Sequence, residues 1–309
     1  MSRRGLRALG PCFVALALAG CGGGPVARTA TTSTVGPGAG PCAVAAAPPP
    51  TYAHVVWVWM ENHIRGQVID SPAAPYETSL AHQCGMATNY SVVGSPSLPN
   101  YLGATSGGTW GIVDDAGPAA HPLTVDNLFR QVRAAGRTER SYQEAMPGPC
   151  DQGTSGTYAV KHNPAAYYVG ADDRAACQAD DVPLGTIDSG PLVDDLARDH
   201  LPAFSFVTPD LCHDTHDCPV ATGDAWLAQW VPKILSSPAY RSGTTALFIV
   251  WDEPAPMPFI VVSPATPAGT TAGQAFDHYS LLRTTEEMLG LSLLGEAAGA
   301  VSLRASFRA

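Results

Sequence analysis

Acidic and amide side chains occur at two points where an apolar run of the sequence ends. Glu61-Asn62 follows the run His54–Met60, and Asp252-Glu253 follows the run Thr244–Trp251. Three carboxylates that met at one place would repel one another unless a cation joined them. Oxygen ligands suit one hard divalent cation such as Mg²⁺, Ca²⁺ or Mn²⁺. Taken separately, each pair is more typical of a solvated strand end.

A serine stands where a helix is expected to begin. Residues Leu98 to Thr105 are predicted to be helical, with Pro99 in the first turn. The free N–H groups at such a helix end bind phosphate, and Ser97 beside them is placed to act as a nucleophile. The structural alternative is a serine that only caps the helix.

Basic side chains follow in two loops. The segment Asp210–Cys218 holds two histidines, three aspartates and two cysteines, after the strand-like run Ala203–Val207. A disulfide would close this loop and fix its histidines, and zinc binding by its cysteines and histidines is the alternative. Lys161-His162 forms either a phosphate contact or an exposed turn.

The elements around these residues predict an α/β fold. The apolar runs named above and Phe259–Val262 are typical of strands buried on both faces. Predicted helices cover Val125–Ala135, with Thr124 and Gly136 as caps, Gly223–Leu235, and His278–Leu289, ended by Gly290. This alternation indicates a three-layer α/β/α sandwich with a mainly parallel sheet, whose sites form at the carboxyl ends of strands.

The start of the sequence and its cysteines indicate export. Residues 1–21 combine arginines, a short apolar stretch and Leu18-Ala19-Gly20-Cys21, which predicts a lipoprotein signal with a lipidated Cys21. An ordinary cleaved signal is the alternative. Residues 22–50 have the composition of a flexible tether, and residues 51–309 form the predicted catalytic domain. Six further cysteines allow 15 pairings; we expect neighbours to pair, as Cys42–Cys84, Cys150–Cys177 and Cys212–Cys218.

Composition excludes several classes of protein. The chain has 309 residues, 45% of them hydrophobic, and a net charge of −10. Loss of the signal would remove three arginines and no acid. A body this acidic is not expected to bind nucleic acid, and the composition excludes coiled coils, collagens and polytopic membrane proteins. A monomer is expected.

Taken in order, these motifs resemble the bacterial phosphoesterase family, which contains secreted acid phosphatases and phospholipases C of the alkaline phosphatase superfamily. The resemblance begins with Glu61-Asn62-His63, continues through Pro96–Tyr101 and Lys161–Pro164, and then takes in Asp214–Asp217 and Gly223–Leu227. It ends with Trp251–Glu253 and His278–Thr284. The family's smaller acid phosphatases, among them a mycobacterial one that acts on phosphoinositides, are most similar in length and layout.

The resemblance implies an alkaline phosphatase-like fold and a role for each matching residue. One divalent metal would be held by Glu61, Asn62, Asp252, Glu253 and the Ser97 hydroxyl, and Ser97 would be the nucleophile. His216 would protonate the leaving oxygen. His162, Lys161 and His278 would contact the phosphoryl group or substrate. Two departures from the family pattern are Ser95, where a histidine is usual, and a short segment, 254–258, after Glu253.

The predicted function is therefore that of an exported, surface-anchored phosphomonoesterase with a phosphoseryl intermediate. Its substrate would be a phosphorylated small molecule or a phospholipid headgroup, and Cys21 would anchor it to the outer face of the membrane. The chain would be secreted if it is not lipidated. The alternatives are a phospholipase C-type phosphodiesterase and an inactive surface protein that binds phosphate or phospholipid.

Overall fold

The computed structural model describes residues 40–309. The predicted signal with Cys21, and the tether up to residue 39, lie outside the described residues. The described end of the tether contacts the domain, because Cys42 is bonded to Cys84 and Ala45 N donates to Pro264 O at 2.8 Å. Among the described residues, no helix has the length and apolar character needed to cross a membrane.

Within residues 40–309 the structure has ten strands and ten α-helices. The strands are β1 (His54–Met60), β2 (Gly85–Ala87), β3 (Tyr90–Ser91), β4 (Glu139–Gln143), β5 (Asp181–Pro183), β6 (Phe204–Thr208), β7 (Thr245–Trp251), β8 (Phe259–Val262), β9 (Thr270–Ala272) and β10 (Phe276–Asp277). The helices are α1 (Arg65–Val68), α2 (Pro75–Gln83), α3 (Ser97–Ser106), α4 (Leu128–Ala134), α5 (Asp173–Asp180), α6 (Pro191–Ala197), α7 (Val220–Ser236), α8 (Pro238–Arg241), α9 (His278–Leu289) and α10 (Arg304–Phe307).

Eight strands form one sheet in the order β5-β4-β6-β1-β7-β8-β2-β9, and β10 pairs with β3 separately. Neighbours in the large sheet run parallel except β8, which is antiparallel to both β7 and β2. The prediction of a mainly parallel sheet is confirmed. The register between β1 and β7 pairs Met60 with Trp251, so both strands end at the same level.

Helices cover both faces of the central strand. Trp57 and Trp59 of β1 point to one face, where Trp57 Nε1 donates to Thr285 of α9 and Trp59 lies against Tyr101 of α3. On the other face Met60 lies close to Gly223 of α7. Both tryptophans are fully buried. The three-layer α/β/α architecture is thus confirmed, with β1 at its centre.

Two predicted helix starts were wrong. Helix α4 begins at Leu128 rather than Val125, because the buried side chain of Asn127, and not Thr124, accepts the capping hydrogen bond from Arg130 N. Helix α7 begins three residues before Gly223. Helix α9 has the predicted bounds and is followed by Gly290 at φ 71°. All three predicted disulfides are confirmed.

Candidate active site

The carboxyl ends of β1 and β7 bring Glu61 and Asp252 together. Backbone bonds fix both residues: Asp252 N donates to Met60 O at 3.1 Å, and Asn62 N donates to Asp252 Oδ1 at 3.2 Å. The loop at 210–218 is bound to the same point, because Glu61 N donates to Asp214 O at 2.8 Å. Thr215 Oγ1 then donates to Glu61 O at 2.8 Å. The predicted convergence of the two acidic strand ends is therefore present.

Ser97 is the first residue of α3 and faces this cluster. Its side chain is buried, and its Oγ donates to Glu61 Oε2 at 3.2 Å. The helix is anchored at the same end by Asn100, whose Oδ1 accepts the N–H groups of Val93 and Gly94 at 3.0 and 2.9 Å. The serine does not cap the helix, since Pro96 occupies the cap position. Its hydroxyl is thus available to the cluster.

Three further side chains complete the cluster, and two of them were not assigned from the sequence. Tyr101 OH donates to Glu61 Oε1, so this tyrosine belongs to the cluster as well as to the packing around it. His162 stacks on the Tyr101 ring, and its Nε2 lies 3.1 Å from Glu61 Oε1. Its Nδ1 lies 3.2 Å from Asp214 Oδ2. Asp214 belongs to the motif Asp214–Asp217, but no feature of that motif indicates that its carboxylate turns inward.

The charge of this cluster calls for a cation. Glu61, Asp214 and Asp252 are fully buried. Burial, reinforced by the charges of the other two carboxylates, raises the pKa of Glu61 well above its usual value. Burial also raises the pKa of Asp252 to about 7 and that of Asp214 to about 8. No hydrogen bond of acceptable geometry reaches Asp252 Oδ2, Asp214 Oδ2 or His162 Nε2, although His162 lies close to Glu61 and Asp214. The residues present therefore fit a divalent cation.

A second group of charges borders the serine. Lys161 Nζ donates to Asp115 Oδ2 at 3.1 Å and to His216 Nε2 at 3.3 Å. An ammonium can only donate, so His216 Nε2 is unprotonated and its Nδ1 proton goes to Asp217 Oδ1 at 2.7 Å. Asp115 Oδ1 also accepts the N–H of Leu98 at 2.9 Å. Lys161 and His216 were assigned from the sequence, whereas Asp115 was not.

The positions of the charged side chains bear on how many metal ions this cluster could hold. Donor atoms of Glu61, His162 and His216 lie within 4.8 Å of one another and could hold a nitrogen-ligated ion. The Lys161 ammonium next to His216 opposes a cation there. Among residues 40–309, Lys161 bonds Asp115 and His216 and makes no hydrogen bond to the oxygen atoms of Glu61, Asp252 or Ser97. This arrangement favours one metal on the carboxylate side.

Three predicted site residues do not contact the cluster through their side chains. Within residues 40–309, Asn62 and Glu253 make no side-chain hydrogen bond, so their assignment as ligands stays a prediction. His278 is fully buried, with Nε2 at 2.9 Å from Asp252 O and Nδ1 at 3.1 Å from Tyr90 OH. Both ring nitrogens are thus engaged by the protein. Substrate binding by His278 is untested, and these contacts favour a positioning role.

The other polar side chains of the 210–218 loop hold the loop itself in shape. His213 Nδ1 bonds Glu144 Oε2 at 3.0 Å, and Asp210 Oδ1 accepts the backbone N–H groups of Cys212 and His213. Cys212 is bonded to Cys218, so these cysteines are not zinc ligands. Ser95, where the family usually has histidine, is exposed just before α3.

Comparisons with known proteins show what the chain is similar to. The sequence profile of the Phosphoesterase family matches residues 56–257. A phosphatidylinositol-3-phosphatase of Mycobacterium tuberculosis is 29% identical over 83% of this chain and 83% of its own length. An acid phosphatase of Aspergillus fumigatus is 28% identical over 77% of this chain, which spans only 55% of that protein. A solved alkaline phosphatase superfamily protein of Vibrio parahaemolyticus superposes with a TM-score of 0.52 at 12% identity, covering 89% of this chain and 77% of that one.

Proposed function

The chain belongs to the Phosphoesterase family, and on that premise we propose that it hydrolyses phosphate monoesters through Ser97. The observation that carries the proposal is the Ser97 hydroxyl, buried at the N-terminus of α3 and bonded to Glu61. Around it lie three buried carboxylates, two of which (Asp214 and Asp252) have an unpartnered oxygen, and the Lys161–His216 pair. The phosphatase names of the relatives support the same activity.

Each of these residues has its own role in the hydrolysis. Ser97 Oγ forms a bond to phosphorus as the ester P–O bond breaks, and the serine proton passes to Glu61 Oε2, 3.2 Å away. The N–H groups at the start of α3, together with Lys161, stabilise the charge on the transferring group. His216 Nε2 first leaves Lys161 and takes up a proton from solvent. It then donates this proton to the leaving oxygen. Water then attacks the phosphoserine and releases inorganic phosphate and free Ser97.

A divalent cation held by Glu61, Asp252 and Ser97, with Asn62 and Glu253 as further candidates, would lower the pKa of the serine hydroxyl and neutralise phosphoryl charge. His278 holds the backbone carbonyl of Asp252 and thereby the position of that ligand. The substrate contact of His278 expected from the sequence stays a prediction beside this positioning role.

The substrate and the compartment are further parts of the proposal. Phosphorylated small molecules and phospholipid headgroups both offer the required monoester, and the mycobacterial relative is named for a phosphoinositide. The names of the fungal relatives favour an acidic working pH. The basic and apolar start of the sequence, ending in Cys21, supports export with a lipid anchor.

Phosphate release by Ser97→Ala tests the reaction. The substrates are p-nitrophenyl phosphate and its bis ester, with and without chelator, and Ser95→Ala serves as the matched control because Ser95 is exposed two residues away. We expect monoester turnover that is lost in Ser97→Ala and in chelator and kept in Ser95→Ala. Full turnover by Ser97→Ala would overturn the proposal. Preference for the bis ester would favour a phosphodiesterase, and binding of phosphate without turnover would favour a binding protein.

A further inference from the structure

The carboxylate of Asp115 accepts hydrogen bonds from two groups that are well suited to hold a phosphoryl oxygen. Its Oδ1 accepts the N–H of Leu98, the second residue of α3, at 2.9 Å. Its Oδ2 accepts Lys161 Nζ at 3.1 Å. Helix N-terminal N–H groups and ammonium groups are common anion ligands in proteins. An anionic side chain therefore already lies in an anion position beside Ser97.

Lys161 keeps its positive charge although it is partly buried. The ammonium is partly buried, and burial alone would lower its pKa. The hydrogen bond to Asp115 and the charges of Glu61 and Asp252 outweigh burial, and the pKa of Lys161 is raised. Besides Asp115, its side chain bonds only His216 among residues 40–309. Lys161 is thus a full positive charge whose one paired carboxylate is Asp115.

Resting on the phosphatase activity proposed above, we propose that Asp115 is an internal anion that competes with the phosphoryl group for Lys161 and Leu98. When phosphate binds, one of its oxygens replaces Oδ2 on Lys161 and the carboxylate turns toward solvent. The side chain is already 27% exposed. The return of the carboxylate to Lys161 then favours release of the product phosphate. Asp115 is a positioning residue in this scheme, because it does not touch the reacting atoms.

Asp115→Asn separates competition from a merely structural role. The amide oxygen of asparagine can still accept the N–H of Leu98, so the bond to α3 is kept. The negative charge against Lys161 is lost. A structural role predicts unchanged or weaker phosphate binding in this variant, whereas competition predicts tighter binding.

Calorimetric titration of the metal-loaded protein with inorganic phosphate measures the difference. We expect Asp115→Asn to bind phosphate about two- to fivefold more tightly than the wild type, the size of one partly exposed ion pair. The matched control is Asp114→Asn, which removes the same charge one residue away. Asp114 bonds Ala116 N and His121 and has no contact with Lys161. Unchanged or weaker binding by folded Asp115→Asn, or an equal gain in Asp114→Asn, would overturn the proposal.

A double-mutant cycle assigns the effect to Lys161. In a Lys161→Met background, Asp115→Asn should no longer tighten phosphate binding; an undiminished gain would sink the proposal. In the enzyme, KM for p-nitrophenyl phosphate and the inhibition constant of phosphate should fall together in Asp115→Asn. Because the titration needs no turnover, its result is independent of whether Ser97 is the nucleophile. Tight phosphate binding without any turnover would count against the Ser97 reaction alone.

Discussion

Glu61 receives contacts from three separate stretches of the chain, two of which reach its carboxylate. Ser97 and Tyr101 reach it from α3, and His162 reaches it from a 3₁₀ turn. Its main chain is bound by Asp214 and Thr215 of the 210–218 loop. A single side chain thus couples the nucleophile to the groups that surround it.

Tyr101 provides a test of that coupling. Tyr101→Phe removes the hydroxyl that donates to Glu61 and leaves the ring stacked on His162. We expect metal affinity or kcat/KM to fall about 10- to 100-fold, as for other residues that hold a metal ligand in place. Metal titration and steady-state kinetics give the readouts. The control is Tyr240→Phe, which removes a hydroxyl bonded to Pro41 O; equal losses in both variants would contradict the assignment.

His216 should matter in proportion to the basicity of the leaving group. An alkyl phosphate needs a proton on its leaving oxygen far more than p-nitrophenyl phosphate does, so His216→Gln should lose about 10²- to 10⁴-fold in kcat for the former and much less for the latter. His213→Gln is the matched control, since His213 bonds Glu144 rather than Lys161. Equal losses of kcat for the two substrates in His216→Gln would rule out its role as the acid.

Residue types at strand ends and before α3 were enough to predict most of this cluster. Glu61 and Asp252 come together because parallel strands end at one edge of the sheet. Ser97 and His162 lie against the same Glu61 carboxylate. The hydrogen bond of Tyr101 and the contacts of Asp115 depend on side-chain directions in elements distant in sequence. No spacing rule gives those directions, and a buried tyrosine is most often a packing residue.

At the scale of elements, α7 holds the 210–218 loop and α2 in place. Asp224 accepts the N–H groups of Tyr76 and Glu77 at the start of α2, at 3.2 and 2.8 Å. The motif Gly223-Asp224 is therefore structural. Apolar runs predicted β1, β7 and β8 because each strand is buried on both faces. The start of α4 was missed because a buried asparagine competes with an equally plausible threonine cap.

Gly223 provides the test at this scale. A Cβ atom at Gly223 would lie 2.4 Å from Thr215 Cγ2, 2.8 Å from Met60 Cε and 2.9 Å from His213 O. Gly223→Ala must therefore displace the loop that bonds Glu61 O. We expect a loss of about 1–3 kcal/mol in unfolding free energy and a larger fractional loss of kcat. Gly148→Ala, where nothing lies within 4 Å of the added atom, should change neither. Full activity in Gly223→Ala would show that the loop adapts.

At the scale of the whole molecule, the fold buries carboxyl groups outside the site as well. Glu286 of α9 is fully buried; its Oε1 accepts Leu294 N at 2.9 Å, and its Oε2 has no partner. Burial raises the pKa of Glu286 from 4.5 to about 8. The folded protein therefore keeps a proton on this group at a pH where the unfolded chain has released it.

The stability of the folded protein should fall as the pH rises because of this group. Between pH 4.5 and about 8 the unfolded state binds fewer protons at Glu286 than the folded state, so its contribution is full below 4.5 and is lost toward 8. The slope is at most about 1.4 kcal/mol per pH unit. Glu286→Gln keeps an acceptor for Leu294 N and removes the titration. Urea unfolding of both proteins in chelator, from acidic to neutral pH, should show the wild type losing stability relative to Glu286→Gln. Parallel stability curves across that range would mean that Glu286 ionises in the fold without cost, and hence that the interior around α9 and the 291–295 segment admits water.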